Sequence, residues 1–337
     1  MNVYHADINE ALADAAAGEA RTPFDRIAWL RLLATECLAP APAIIAVAKD
    51  GYRTAALPLV LRPEGYGALA NWYSFIARPL GSDPELLRAI MRSLRHARGG
   101  PGGALSFAPL PPREAVLLRD AARATGWIAQ LRHTDHNHVL RTHGADFATW
   151  WATRPGQLRE TVRRKSRKGV VTIRIATAFA DDDWKAYEDI YASSWKPAET
   201  SPQFLRRFAR AEGAAGRLRL GLATIDDAPV AAQFWTVENG TAFIHKLAHD
   251  PAATAHSPGT LLSHALFAMA FDQDRVDLID FGTGDDGYKR DWMDEVRPRY
   301  RLDAVWPWAP RRWPMLARLL AKGVVRRGEL ASPEAIA

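Results

Sequence analysis

The chain has 337 residues, 48% of them apolar and 24% charged. That is ordinary for a globular protein and more than one average core serves, so two domains are expected. Its net charge of +6 and its single cysteine, Cys37, exclude an intrachain disulfide scaffold and leave a phosphorylated cofactor, nucleic acid, an anionic membrane or an acidic partner open.

The first twenty residues lack a basic start and an apolar core, so no secretory signal is expected there. The apolar runs 41–48 and 261–271 are too short to span a bilayer, and a soluble, cytoplasmic protein is expected. Helical spacing covers Phe24–Cys37 after a Thr22-Pro23 start. Strands are predicted at Ala43–Ala48 and Arg53–Leu61, joined at Asp50-Gly51 as a hairpin. Tyr66–Ile76 reads as regular or irregular strand, and Asp83-Pro84 opens a helix through Arg98 that the glycine-rich stretch Gly99–Gly103 stops. A strand at Ala104–Pro109, a helix at Arg113–Thr125 and a strand at Trp127–Leu140 complete the first half.

The second half repeats that plan after a boundary near residues 141–146. Phe147–Arg167 is predicted mostly helical and Val170–Ala178 a strand. Asp181-Asp182-Asp183 begins a helix through Ser194, and Ser201-Pro202 begins another to Gly213. Arg217–Ile225 and Val230–Val237 form a hairpin, and Thr241–His249 is a third strand. Ser257-Pro258-Gly259 starts a helix to Gln273, and Val276–Phe281 is the last strand. The chemistry concentrates at two places. After Leu278–Phe281 the chain breaks at Gly282 and Gly284 and delivers Asp285, Asp286, Tyr288, Lys289 and Trp292, ionisable groups on the C-terminal lip of a strand. Some twenty residues earlier, Ser257-Pro258-Gly259-Thr260 opens an apolar helix, an arrangement that suits a phosphate-bearing ligand.

Four segments, Tyr191–Glu199 (YASSWKPAE), Phe243–Pro251 (FIHKLAHDP), Ser257–Leu262 (SPGTLL) and Asp280–Trp292 (DFGTGDDGYKRDW), stand in an order that resembles the FemAB/CelD-like branch of the GNAT acyltransferase superfamily. The resemblance covers about residues 145–300. It implies an α/β (α+β) protein of tandem GNAT-like domains, each a mixed, mostly antiparallel sheet flanked by helices. The expected division is a degenerate domain over 1–144, a catalytic domain over 145–305 and a basic amphipathic tail over 306–337 ending in a disordered tip. It further implies transfer of an acyl group from a phosphopantetheine thioester, on coenzyme A or an acyl-carrier protein, to an amine of a peptide or small molecule. The thioester arm would lie along Phe243–Ala248 with backbone contacts at Leu247 and Ala248. Its phosphates would meet amides at Ser257, Gly259 and Thr260. Pro258 removes one donor, and the usual superfamily phosphate loop is absent, which weakens the case for coenzyme A itself.

Direct attack by the acceptor needs a base near neutral pKa, and His245 and Asp285 are the candidates. Plain strand alternation sends His245 and Lys246 to opposite faces. Tyr288 could protonate the departing thiolate, and Lys289 could neutralise a carboxylate, a phosphate or an oxyanion. Trp195, Lys196, Glu199 and Trp292 are candidates on the acceptor side, although both tryptophans read first as packing residues. Cys37 lies far from these motifs and offers no thiol nucleophile.

The basic run Arg163–Lys168 reads as a solvated helix end, or as a dock for an acidic carrier protein or tRNA. His133, His136, His138 and His143 cluster in sequence, but neither a cysteine nor a distant pair completes a ligand set, and no metal is expected. Trp313–Arg327 reads as a basic amphipathic helix that packs on its own domain, with peripheral membrane contact as the alternative. Two other functions remain open: an aminoacyl-tRNA-dependent peptide ligase, and a non-catalytic protein of exopolysaccharide or envelope assembly.

Overall fold

The computed structural model describes residues 1–9, 21–96, 102–284 and 287–325. In chain order its principal elements are β1 (Asn2–Asp7), α1 (Ile27–Leu33), β2 (Ala43–Asp50), β3 (Arg53–Arg62), β4 (Gly65–Ala68), α2 (Pro84–Ser93), β5 (Ala104–Leu110), α3 (Pro112–Ala124) and β6 (Ile128–Arg141). There follow α4 (Phe147–Ala152), α5 (Gly156–Arg167), β7 (Thr172–Ala176), α6 (Asp181–Ser193), α7 (Pro202–Ala214), β8 (Leu218–Ile225), β9 (Ala228–Glu238) and β10 (Thr241–His249). The chain closes with α8 (Pro258–Asp272), β11 (Leu278–Thr283), β12 (Glu295–Val305) and α9 (Trp313–Val325).

Two compact units divide the chain, but not linearly. One comprises Met1–His136 together with the stretch from Pro298 on; the other is Asn137–Arg297. The expected cut near 145 therefore moves to 137, and the C-terminal stretch belongs to the first unit rather than standing as a separate tail. The cause is β12, a strand not predicted. Its residues Tyr300–Val305 pair antiparallel with β5 and bury Leu302 and Ala304 in the first unit's core.

The first unit runs β1-β2-β3-β4-β5-β12, antiparallel except for the parallel pair β4–β5. The β2–β3 hairpin turns at Gly51 as predicted, with Asp50 opposite Arg53. Asp83 caps α2 by accepting from the amides of Glu85 and Leu86, with Pro84 behind it. Beyond Ala68 the predicted strand at Tyr66–Ile76 is irregular, and the predicted extension of α2 to Arg98 falls partly outside the described residues.

The second unit repeats the plan as β6-β11-β10-β9-β8-β7, again antiparallel apart from one parallel pair, β10–β11. The predicted helix at Phe147–Arg167 is two helices, because Pro155 cannot continue α4. Asp226-Asp227 and Asn239-Gly240 make the two tight turns of the β8–β9–β10 meander, all four residues at positive φ. Phe234 and Trp235, neighbours on β9, point to opposite faces. Trp235 packs on Phe267 of α8, and Phe234 packs on Trp184 of α6 and Phe208 of α7.

Gly213 lies inside α7, where alanine would ordinarily be preferred. A Cβ there would sit 2.7 Å from the backbone nitrogen of Phe179. Gly213→Ala is therefore expected to destabilise the protein by about 1–3 kcal/mol, read as a lower denaturant midpoint.

Candidate functional site

The site forms where β10 and β11 stop pairing. Their parallel register holds only from Thr241 opposite Leu278 to Phe243 opposite Asp280, while β10 runs on to His249. Both strands then contribute to one cavity of about 290 Å³. Leu247, Ala248 and His249 line it from β10 and Phe281 from β11. Ser257, Pro258, Gly259, Thr260 and Ser263 line it from the start of α8. Leu158 of α5, Trp195, Tyr288, Asp291 and Trp292 complete much of the wall.

A β-bulge decides which side chains reach this cavity. On β10, Ile244 pairs with Trp235 and Lys246 with Phe234, so His245 is the extra residue. The alternation shifts by one after it. His245 and Lys246 both face α6 and α7, which corrects the expectation of opposite faces. Leu247 and His249 are turned to the α8 side instead. His245 sits between Phe208 and Phe234 and shares a hydrogen bond of 2.8 Å with Thr236, and the cavity does not include it.

Lys246 forms an ion pair of 2.7 Å with Glu199; the two side chains are 6% and 11% exposed. Burial brings the Lys246 ammonium down to about 8, although the Glu199 carboxylate opposes the shift. Tyr191 of α6 lies beneath that ammonium, and burial with the Glu199 charge pushes its phenol up to about 12. The pair ties the segment carrying Trp195 to the sheet. Trp195 in turn packs on His249, ring centres 4.5 Å apart, and carries Lys196 over its face at 5.8 Å.

The mouth of α8 is strained into place. Ser257 adopts left-handed φ and ψ, and its amide donates to the Thr254 carbonyl, so that donor is already engaged. Leu261 donates to the Ser257 carbonyl, which leaves Gly259 and Thr260 in the turn whose amides precede the helical ladder. Gln233, buried on β9, donates to the Gly259 carbonyl and to Ser263, and accepts from Trp235. That network fixes the helix mouth against the sheet. Lys165 of α5 donates to the Ala255 carbonyl at 2.5 Å, so the basic helix end lies beside the same mouth.

Of the residues expected from sequence, the cavity gathers Leu247, Ala248, Ser257, Gly259, Thr260, Trp195, Tyr288 and Trp292. Lys196 and Glu199 are not among its lining residues. Lys289 is buried and donates to the carbonyls of Thr283 and Gly284, shaping the lip after β11 rather than entering the cavity. Asp285 and Asp286 lie outside the described residues. Trp292 packs on Phe267, Trp150 and Trp151 with one edge at the cavity. The lining residues missed from sequence include the ionisable His249 and Asp291 and the buried amide Gln233. Burial, aided by the nearby Lys196 cation and opposed by Asp250, holds His249 below the usual imidazole range. Among the described residues no group of three or more His, Cys, Asp or Glu side chains could hold a metal ion, and no helix is long and apolar enough to cross a membrane.

Comparisons with known proteins agree with this geometry. The family model described as an acetyltransferase (GNAT) domain matches residues 152–290. No curated protein matches the chain by sequence. Among solved structures, FemX is similar at 9% identity and a TM-score of 0.66, over 94% of this chain and 99% of that one. A tandem GNAT protein from the clavulanic acid biosynthesis pathway is similar at 15% identity and a TM-score of 0.50, over 90% and 98% of the two chains. The C-terminal domain of a candidate lysylphosphatidylglycerol synthetase from Agrobacterium fabrum is similar at 13% identity and a TM-score of 0.54, over 80% and 86%. Residues 152–290 thus match the acetyltransferase (GNAT) domain family, and the chain has a tandem GNAT-like fold similar to that of FemX.

Proposed function

We propose that the protein is an acyltransferase that moves an acyl group from a phosphopantetheine thioester to an amine on a peptide or small molecule. One observation carries the reading: a single cavity joins the stretch of β10 beyond its pairing with β11 to the mouth of α8. An extended arm can add to the backbone of Leu247 and Ala248 as a further strand does. Its phosphate meets the first-turn amides of Gly259 and Thr260, where the helix dipole favours an anion.

The acceptor nitrogen attacks the thioester carbonyl carbon; the C–N bond forms and the C–S bond breaks. The nitrogen must lose a proton first, and the thiolate gains one on leaving. His249 is the base this cavity offers, because it lines the wall and stays neutral at physiological pH. Tyr288 and Asp291 also line the wall. Tyr288 is placed to return the proton, and Asp291 to hold an incoming ammonium.

Incubating the full chain with a panel of acyl-CoAs, acyl-carrier proteins and amine-bearing peptides tests the reading by mass. A product heavier by the acyl group supports it, and no transfer from any thioester counts against it. Gly259→Ala sharpens the test. The added Cβ would lie 3.5 Å from His249 Nδ1, an ordinary contact. The fold is expected to survive while the donor KM rises about tenfold, as expected for one weakened hydrogen bond to a charged group.

A second reading, an aminoacyl-tRNA-dependent ligase, draws on the likeness to FemX over 94% of the chain and on the basic end of α5 beside the helix mouth. Transfer from aminoacyl-tRNA that survives a competing polyanion, with none from acyl-CoA, would favour it.

A further inference from the structure

We propose that the outward face of α9, together with Trp308 just ahead of it, docks the protein on an anionic phospholipid surface. A helix that merely packs on its own domain turns its apolar side inward and its polar side to water. In α9, Leu319 is buried, yet Trp313 and Leu320 are 57% and 47% exposed, and Ala317 and Ala321 are exposed beside them. These positions follow i, i+4, i+7 and i+8, one continuous apolar stripe facing solvent. Trp308 adds a ring that is 78% exposed. The Trp313 indole donates to the Pro307 carbonyl, which orients that ring on the surface.

Charge selects the occupant. Between Asp303 and Glu329 the chain carries no acid, and it carries Arg311, Arg312, Arg318, Lys322, Arg326 and Arg327, six cations that equal the whole chain's net charge of +6. Exposed tryptophans among such cations match the headgroup level of an anionic bilayer, where the rings enter the interface and the cations meet lipid phosphates. A second copy of the same face would set the exposed Arg311 and Arg318 against their own copies, which disfavours self-association. The proposal does not depend on the transfer chemistry.

Flotation of the full chain with vesicles tests it. The protein is expected to float with mixed phosphatidylglycerol–phosphatidylcholine vesicles and not with phosphatidylcholine alone, and to release as salt rises. The double substitution Trp308→Ser/Leu320→Ser is expected to weaken binding about tenfold with an unchanged melting curve, since both side chains are exposed. Arg311→Glu/Arg318→Glu is expected to weaken it about fivefold for each lost cation. Absence of flotation, or binding indifferent to lipid charge, overturns the proposal. So does a solution dimer that Trp308→Ser/Leu320→Ser abolishes, since that outcome gives the face to a second copy.

Discussion

His249→Gln is expected to lower kcat for acyl transfer by about 10²–10⁴-fold, the usual contribution of a positioned base. Glutamine keeps the volume and one polar end but cannot take the proton. The pH profile separates this role from a packing role. A base works only when unprotonated, and the His249 imidazole is held below its ordinary range by burial, with Lys196 assisting and Asp250 opposing. Wild-type kcat/KM should therefore be level near neutrality and fall only below pH ~6.5, the ordinary imidazole value. That acid limb should vanish in the variant, and free imidazole should restore part of the rate to His249→Gly. A variant that keeps the limb, or stays within threefold of wild-type kcat, would assign the proton elsewhere.

Lys246→Met is expected to destabilise the protein by about 3–5 kcal/mol, because it strands the Glu199 carboxylate, 11% exposed, without its partner. Lys246→Met/Glu199→Leu should recover most of that loss in denaturant melts. The pH dependence carries a sign that can be checked. The Lys246 ammonium titrates near 8 in the folded protein, against an ordinary value of 10.5. Between those values the unfolded chain binds the extra proton, so this group makes stability rise with pH from 8 to 10.5. Lys246→Met should remove that rise, and an unchanged slope would show that another group carries it.

Much of this was legible in the sequence. The hairpins at Asp50-Gly51 and Asp226-Asp227, the capped start of α2 at Asp83-Pro84 and the apolar α8 after Ser257-Pro258-Gly259 all fell where local chemistry put them. Part of the cavity wall was legible too, because Leu247, Ala248, Gly259 and Thr260 belong to short motifs with a fixed neighbourhood. His249 was missed for a specific reason. Period-two alternation groups it with His245, and only the bulge at His245, a long-range pairing event, separates them. β12 was missed because Pro298 and the cations Arg297, Arg299 and Arg301 read as loop. Its apolar residues do alternate at Tyr300, Leu302 and Ala304. Its buried charges are answered by distant partners, Arg299 by Asp135, and Asp303 by Arg132 and Ser106. No local signal announces a partner 164 or 197 residues away.

The return of β12 to the first unit has a bearing on synthesis. On the ribosome the unit that begins the chain cannot be finished first, since its sheet lacks the strand that buries Leu302 and Ala304 until residues beyond 298 emerge. The stretch 137–297 is continuous, so its strands and helices are all in hand before that moment. The usual N-terminus-first order is thus reversed at the last step: nascent chains held with residue 297 just outside the ribosome should already resist protease across 137–297 while the leading half is still cut.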